Sequence, residues 1–166
     1  MKTTRIIGID PGYATLGWGI LDYSGNRFQV VDYGAVITAA DLAFSHRLGI
    51  IYDRLSAILD KHIPDGMGIE KLYFTKNVTT GIDVAQARGV VLLAAHQRGL
   101  QPGEYSPPQV KQAVVGYGNA EKAQMMYMTK TLLGLPQLPK PDDVADALAI
   151  AICHAHSKTS HLANIR

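Results

Sequence analysis

Arg5-Ile6-Ile7-Gly8-Ile9 is a short apolar, β-branched run that closes on Asp10-Pro11-Gly12, a pattern predicting a buried strand followed by a tight turn. From Thr15 to Asp22, Leu16, Trp18 and Ile20 alternate with Gly17 and Gly19; after Ser24-Gly25-Asn26, the stretch from Phe28 to Ile37 alternates less cleanly. Together the three runs predict an antiparallel three-strand meander. Glycine weakens a strand interior, so Gly17 and Gly19 mark a crowded point where another backbone comes close. At Asp41 the period changes. Leu42, His46, Leu48, Ile51, Tyr52, Leu55, Ile58 and Leu59 fall at helical spacing, which predicts an amphipathic helix from Asp41 to about His62, ahead of Pro64. Met67 to Glu70 reads as a short buried strand that ends on a carboxylate, as the first strand ends on Asp10.

Between Gly81 and Gly99 the chain is apolar nearly all the way round a helix: Ile82, Val84, Ala85, Ala87 and the run Val90 to Ala95. Such a helix must be covered on more than one side, either by a second copy of the chain in a homodimer or by other layers of the same domain. Ser106 is an N-cap with Pro107 at the first helical position, and Gly116 closes that short helix. Asn119 is expected to cap a further helix to about Leu133. A linker from Pro136 to Pro141 leads to a last helix from Asp142 to His156. The expected organisation is a single domain over residues 1–157 and a polar, frayed tail over 158–166.

With 166 residues, the chain has room for one core and none for a second catalytic lobe. Apolar residues at 47%, charged residues at 18% and a mean hydropathy of +0.03 argue against disorder. No apolar run reaches membrane-spanning length and no signal sequence opens the chain, so a cytoplasmic protein is expected. A lone cysteine, Cys153, excludes an internal disulfide and any multi-cysteine metal site. Net charge is only +2, but its distribution is uneven: residues 71–130 carry 7 basic and 3 acidic side chains, against 6 and 8 in residues 1–70. A basic middle between acid-bearing ends suits a polyanion held over a metal site, although a solvated basic face has the same signature.

Glu70 is the most informative acid, because neither a turn nor a helix dipole rescues a carboxylate at the end of a buried strand. Next to a strand ending in Asp10 it would be repelled unless a cation lay between them. On the last helix Asp143 and Asp146 share a face, so four acids can converge. An all-oxygen set of this kind favours Mg²⁺ or Mn²⁺ over zinc. Taken singly, Asp10 and Asp143 also fit ordinary turn and first-turn roles. Lys122 falls in a first helical turn, where a cation costs up to about 1 kcal/mol, which suggests that it faces an anion such as phosphate. Lys111 on the preceding helix is placed to join it. Leu72-Tyr73-Phe74-Thr75-Lys76-Asn77 follows Glu70 directly; its aromatics either stack on unpaired bases or pack beneath the loop. Cys153-His154-Ala155-His156 lacks the geometry of a metal tract, and Gly116-Tyr117-Gly118 lacks the third glycine of a dinucleotide fingerprint.

In order and spacing, Gly8-Ile9-Asp10-Pro11-Gly12, Ile69-Glu70, Gln86-Ala87-Arg88-Gly89, Val110-Lys111-Gln112, the run Gly116 to Lys122 and the run Asp143 to Ala149 resemble the RuvC family of Holliday junction resolvases, from about Arg5 to His156. The resemblance implies an α/β, RNase H-like fold, a five-stranded mixed sheet with helices on both faces, acting as a homodimer. It implies that Asp10, Glu70, Asp143 and Asp146 hold two Mg²⁺ ions, with Mn²⁺ able to substitute, and that Lys111 and Lys122 support catalysis at the scissile phosphate. Tyr73, Phe74, Lys76, Asn77 and Arg88 join the two lysines in the implied DNA-contacting set. Four-way junction DNA is the implied substrate, with the branch-migration proteins RuvA and RuvB as partners in recombination and repair. Lys71 departs from the glutamine or acid expected after the family's glutamate, and Asp142 adds a carboxylate beside Asp143.

Three rival readings have distinct signatures. An actin-type or sugar-kinase-type ATPase domain shares the Ile9-Asp10-Pro11-Gly12 loop and would bind ATP, but the chain is too short for the closing lobe. A non-catalytic junction binder would bind without Mg²⁺-dependent cleavage. An RNA-directed nuclease would prefer structured RNA to junction DNA.

Overall fold

The computed structural model describes residues 2–73 and 78–163. The meander forms as expected: β1 (Thr4–Asp10), β2 (Thr15–Ser24) and β3 (Arg27–Ile37) pair antiparallel, with a register shift where Ile20 and Leu21 meet β3. Helix α1 (Phe44–His62) then crosses to β4 (Gly66–Glu70), which lies parallel to β1 with Ile9 opposite Ile69. Helix α2 (Val78–His96) leads to β5 (Pro102–Tyr105), parallel to β4, and the sheet order is β3-β2-β1-β4-β5. The chain ends with α3 (Pro107–Val115), α4 (Lys122–Leu132) and α5 (Asp142–Ala163).

Alternation along β1 sorts the two cores. Ile7 and Ile9 face α1 and α2, packing with Ile20, Ile51, Leu55 and Val91, whereas Ile6 joins Leu21, Val110 and Leu148 on the face covered by α3, α4 and α5. On that second face, one glycine from each of four neighbouring strands falls in a single row: Gly19, Gly8, Gly68 and Gly103. Helix α5 lies in the resulting trough. A methyl group at Gly8 would overlap the carbonyl oxygen of Ala147, and one at Gly17 would overlap that of Asp143. The close backbone approach expected at Gly17 and Gly19 is therefore the seat of α5, with Ala145, Ala147, Ala149 and Ala151 keeping the helix thin.

Three boundaries differ from expectation. Helix α1 begins at Phe44 rather than Asp41, because a turn from Ala39 to Leu42 occupies the preceding residues. The N-cap of α4 is Glu121, not Asn119; Gly118 and Asn119 lie in a turn, and Gln124 Oε1 accepts the Glu121 N–H at 3.0 Å. Helix α5 continues past His156 to Ala163, so the tail expected to fray is helical that far. The short β5 is an element that its own residues do not announce.

Ser106 and Pro107 start α3 as expected. Ser106 Oγ accepts from the Gln109 N–H, and Gln109 Oε1 accepts from the Ser106 N–H, a complete capping box closed at the far end by Gly116 with φ of 102°. Ser106→Ala should lower stability by about 1 kcal/mol, read as a reduced urea midpoint with unchanged slope.

Candidate active site

Because β1 and β4 are adjacent and parallel, their last residues, Asp10 and Glu70, emerge side by side at the same end of the sheet. Seated on the glycine row, α5 brings its first turns over the end of β1, with Gly17, the register partner of Asp10, directly beneath the Asp143 backbone. The four acids thus come from three separate stretches of chain and converge electrostatically.

Burial pushes the Asp10 carboxyl up to about 8, and Glu70, Asp146 and Asp143 add to that rise, while Lys122 opposes it. Glu70 is raised by burial and by Asp146. Asp146 is raised by burial and by Asp143 and Asp142, against the pull of Lys122. Lys122 Nζ lies 3.2 Å from Asp146 Oδ2; partial burial works against its charge, but Asp146, Asp142 and Asp10 keep it protonated above its ordinary range. It occupies the first position of α4, the unfavourable end of the helix dipole for a cation, and the acid cluster accounts for its tolerance there.

A cleft of about 250 Å³ opens at this point, lined by Glu70, Asp146, Lys111 and Lys122 over an apolar wall that includes Val110, Met125 and Ile150. The apolar wall is the part of the site that sequence reasoning missed, since such residues carry no signal beyond ordinary core. Asp142 is drawn outward to Lys140 at 2.8 Å, which leaves Asp143 as the acid of that pair that acts on Asp10. Among the described residues, no three Asp, Glu, His or Cys side chains close tightly enough to grip an ion as they stand. The donors form an open set, as expected of like charges that repel while a lysine holds one of them. Their chemistry fits a hard divalent cation: every donor is an oxygen, and a positive charge among them would offset the burial and like charges that raise the Asp10 carboxyl.

Tyr73 is exposed beyond the end of β4, and Lys71 is exposed beside it, its N–H donating to the Tyr105 carbonyl at 2.8 Å. Phe74, Lys76 and Asn77 lie outside the described residues. Arg88 does not project freely toward a ligand. Its Nη2 pairs with Glu104 at 2.6 Å and its Nε donates to the Glu70 carbonyl at 3.3 Å. No helix among the described residues is long and apolar enough to cross a membrane.

Comparison with known proteins identifies the family. The sequence profile of the family described as crossover junction endodeoxyribonuclease RuvC matches residues 6–154. The chain is 53% identical over 152 residues to the enzyme of that name from Ruminiclostridium cellulolyticum, covering 92% of each, and 56% identical over 152 residues to that of Alkaliphilus metalliredigens, covering 92% and 93%. Its fold superposes on Thermus thermophilus RuvC in complex with a Holliday junction substrate with a TM-score of 0.89 at 33% identity, covering 95% of this chain and 96% of that one. The mixed sheet with helices on both faces is accordingly the RNase H-like fold. With its profile, its relatives and its superposition all spanning nearly the whole chain, the protein belongs to the RuvC family of crossover junction endodeoxyribonucleases.

Proposed function

We propose that this protein is the nuclease that cuts four-way DNA junctions by paired symmetric nicks, leaving 5′-phosphate and 3′-hydroxyl ends, in recombination and repair. The observation that carries this reading is the meeting of Asp10, Glu70, Asp143 and Asp146 beside Lys122 at one end of the sheet. A divalent cation is inherent in the chemistry of such nucleases. Mg²⁺ is the proposed ion, two per site with Mn²⁺ as a substitute; when bound it would activate water and compensate the charge of the phosphate and the departing 3′ oxygen.

The chain's own residues do the rest. Asp10, Glu70, Asp143 and Asp146 would supply the oxygen ligands, with Asp10 the carboxylate on which the other three act. Lys122, held by Asp146, offsets negative charge that builds on the scissile phosphate, and Lys111 lines the same cleft to orient it. Tyr73, 57% exposed next to this end of the sheet, offers a ring on which an unpaired base at the junction can stack. Lys122→Gln should slow single-turnover cleavage roughly a hundredfold while junction affinity changes little.

Paired nicks require two sites. Ile82 and Leu93 of α2, 49% and 51% exposed, lie on one helical face with Gln86 and Gly89 between them, while Ala87, Val91, Ala94 and Ala95 face the core. This apolar outer face supports a homodimer through α2. Leu93→Asp is expected to yield monomers by analytical ultracentrifugation and to replace paired resolution with isolated nicks. RuvA and RuvB as partners, and a cytoplasmic setting that suits the buried, unpaired Cys153, complete the reading.

The decisive experiment incubates a labelled mobile four-way junction with the protein and either Mg²⁺ or chelator. Symmetric nicked duplex should appear only with metal. Cleavage in chelator, or binding without cleavage in Mg²⁺, would overturn the proposal.

A further inference from the structure

Glu70 is the last residue of β4, after which the chain leaves the sheet, so its carboxylate direction depends on how firmly that final peptide is held. This peptide, with the Glu70 carbonyl on one side and the Lys71 N–H on the other, fixes how the chain departs from the Glu70 Cα. The neighbouring strand secures one side, through the Lys71 N–H to the Tyr105 carbonyl at 2.8 Å. The carbonyl of Glu70 itself is taken by Arg88 Nε, at 3.3 Å, from the third turn of α2. Arg88 is aimed in turn by Glu104, whose Oε2 sits 2.6 Å from Nη2 and whose Cα lies in register with Ile69 on the adjacent strand. Only 13% of the Arg88 side chain remains exposed, so little of its guanidinium is left to meet a DNA phosphate.

We infer that Arg88 and Glu104 form a positioning clamp on Glu70, fixing the backbone carbonyl attached to the Cα that carries the metal-binding carboxylate, rather than a contact for DNA. The inference rests on the reading of Glu70 as a metal ligand. A rigid guanidinium fork spans a carbonyl on one strand and a carboxylate on the next, which an ammonium cannot do with the same geometry. Loss of a partner that orients a metal ligand typically costs about 10–100-fold in metal affinity or activity. Of the three glutamates in the chain, Glu70 faces the site, Glu121 caps α4 and Glu104 completes this clamp.

The test uses Arg88→Lys and Glu104→Gln in the full-length protein. Metal binding is followed without turnover, as the Mg²⁺-induced rise in melting temperature of the DNA-free protein, and separately as the Mg²⁺ concentration giving half-maximal single-turnover cleavage. Junction affinity is measured in Ca²⁺. Arg88→Lys should raise both Mg²⁺ midpoints about tenfold, with cleavage recovering at high Mg²⁺ and junction affinity unchanged. Glu104→Gln should act in the same direction by less, and the double variant should be no worse than Arg88→Lys. Weakened junction binding with unmoved Mg²⁺ midpoints would return Arg88 to a DNA-contacting role and overturn the clamp. A lower melting temperature with both midpoints unmoved would overturn it equally. Glu70→Gln separates the two levels of argument. If it abolishes the Mg²⁺-induced rise while Arg88→Lys leaves it intact, the clamp alone fails; if the rise survives Glu70→Gln, the assignment of Glu70 to the metal fails with it.

Discussion

Asp10→Asn is expected to reduce junction cleavage roughly a thousandfold or more while making the metal-free protein harder to unfold. Both effects have one origin. In the folded protein, burial and the neighbouring acids push the Asp10 carboxyl up to about 8, whereas in the unfolded chain it titrates at its ordinary value of 3.8. Between those values the folded state holds a proton that the unfolded state has released, so stability falls as pH rises through that window. At pH 7 the loss from this group is roughly 2 to 4 kcal/mol. Asparagine keeps the shape and removes the charge. The metal-free variant should therefore melt about 5–10 °C higher than the parent at pH 7 to 8, with the difference vanishing near pH 4. Some pH slope should survive, because Glu70 and Asp146 are raised as well. Saturating Mg²⁺ should stabilise the parent and leave the variant nearly unmoved. Melting curves across pH with and without Mg²⁺, paired with single-turnover cleavage, check all of this. A variant less stable than its parent at neutral pH, or one that still cuts junctions, would remove the argument for a strained acid cluster.

Glu70 stood out because no ordinary role explains a carboxylate at the end of a buried strand, whereas Asp10 and Asp143, which fit turn and first-turn roles singly, were legible only as part of the joint pattern. The glycines of β2 were legible for the same reason, although their occupant, α5, was not named by the pattern. Strand β5 escaped because Pro102-Gly103-Glu104-Tyr105 has almost no strand character of its own. It is a strand because β4 presents a free edge beside it, and Pro102 at its start needs no ladder donor. Asn119 has the side chain of a cap, but a turn takes up Gly118 and Asn119 and Ala120 is buried at 1% exposure, so α4 starts two residues later, after Glu121. Composition alone said little about Ser157 to Ala163, which is polar yet helical. Arg88 belongs to a motif readable in the sequence, but the direction of its guanidinium depends on Glu104 from β5, the very strand the pattern did not reveal.

Gly17→Ala should abolish most activity without unfolding the protein, whereas Gly8→Ala should do the reverse in emphasis. A Cβ at Gly17 would collide with the carbonyl of Asp143, in the first turn of α5. That end of the helix follows the Pro136 to Pro141 linker, where partly exposed Asp143 and Asp146 leave it less enclosed than the segment over 147–153, so the overlap should be relieved by moving Asp143 and Asp146 away from Asp10. Overpacking there costs about 1–3 kcal/mol, but a displacement of about 1 Å in a catalytic constellation lowers the rate on the order of a hundredfold. At Gly8 the added methyl would meet the Ala147 carbonyl and the Ala151 backbone nitrogen midway along a helix that is buried on every side over residues 147–153. The helix cannot lift there without opening the core, so destabilisation should reach or exceed about 3 kcal/mol. Gly49 provides the matched control: it lies in the interior of α1, where an added methyl would meet no neighbouring atom within 4 Å, and Gly49→Ala should stabilise by up to about 1 kcal/mol. Urea denaturation and single-turnover cleavage of the three variants separate the outcomes. If Gly17→Ala cuts junctions at the parental rate, the close approach of α5 to Gly17 does not set the distance between the helix acids and Asp10, and the strand-end pair would have to act without that constraint.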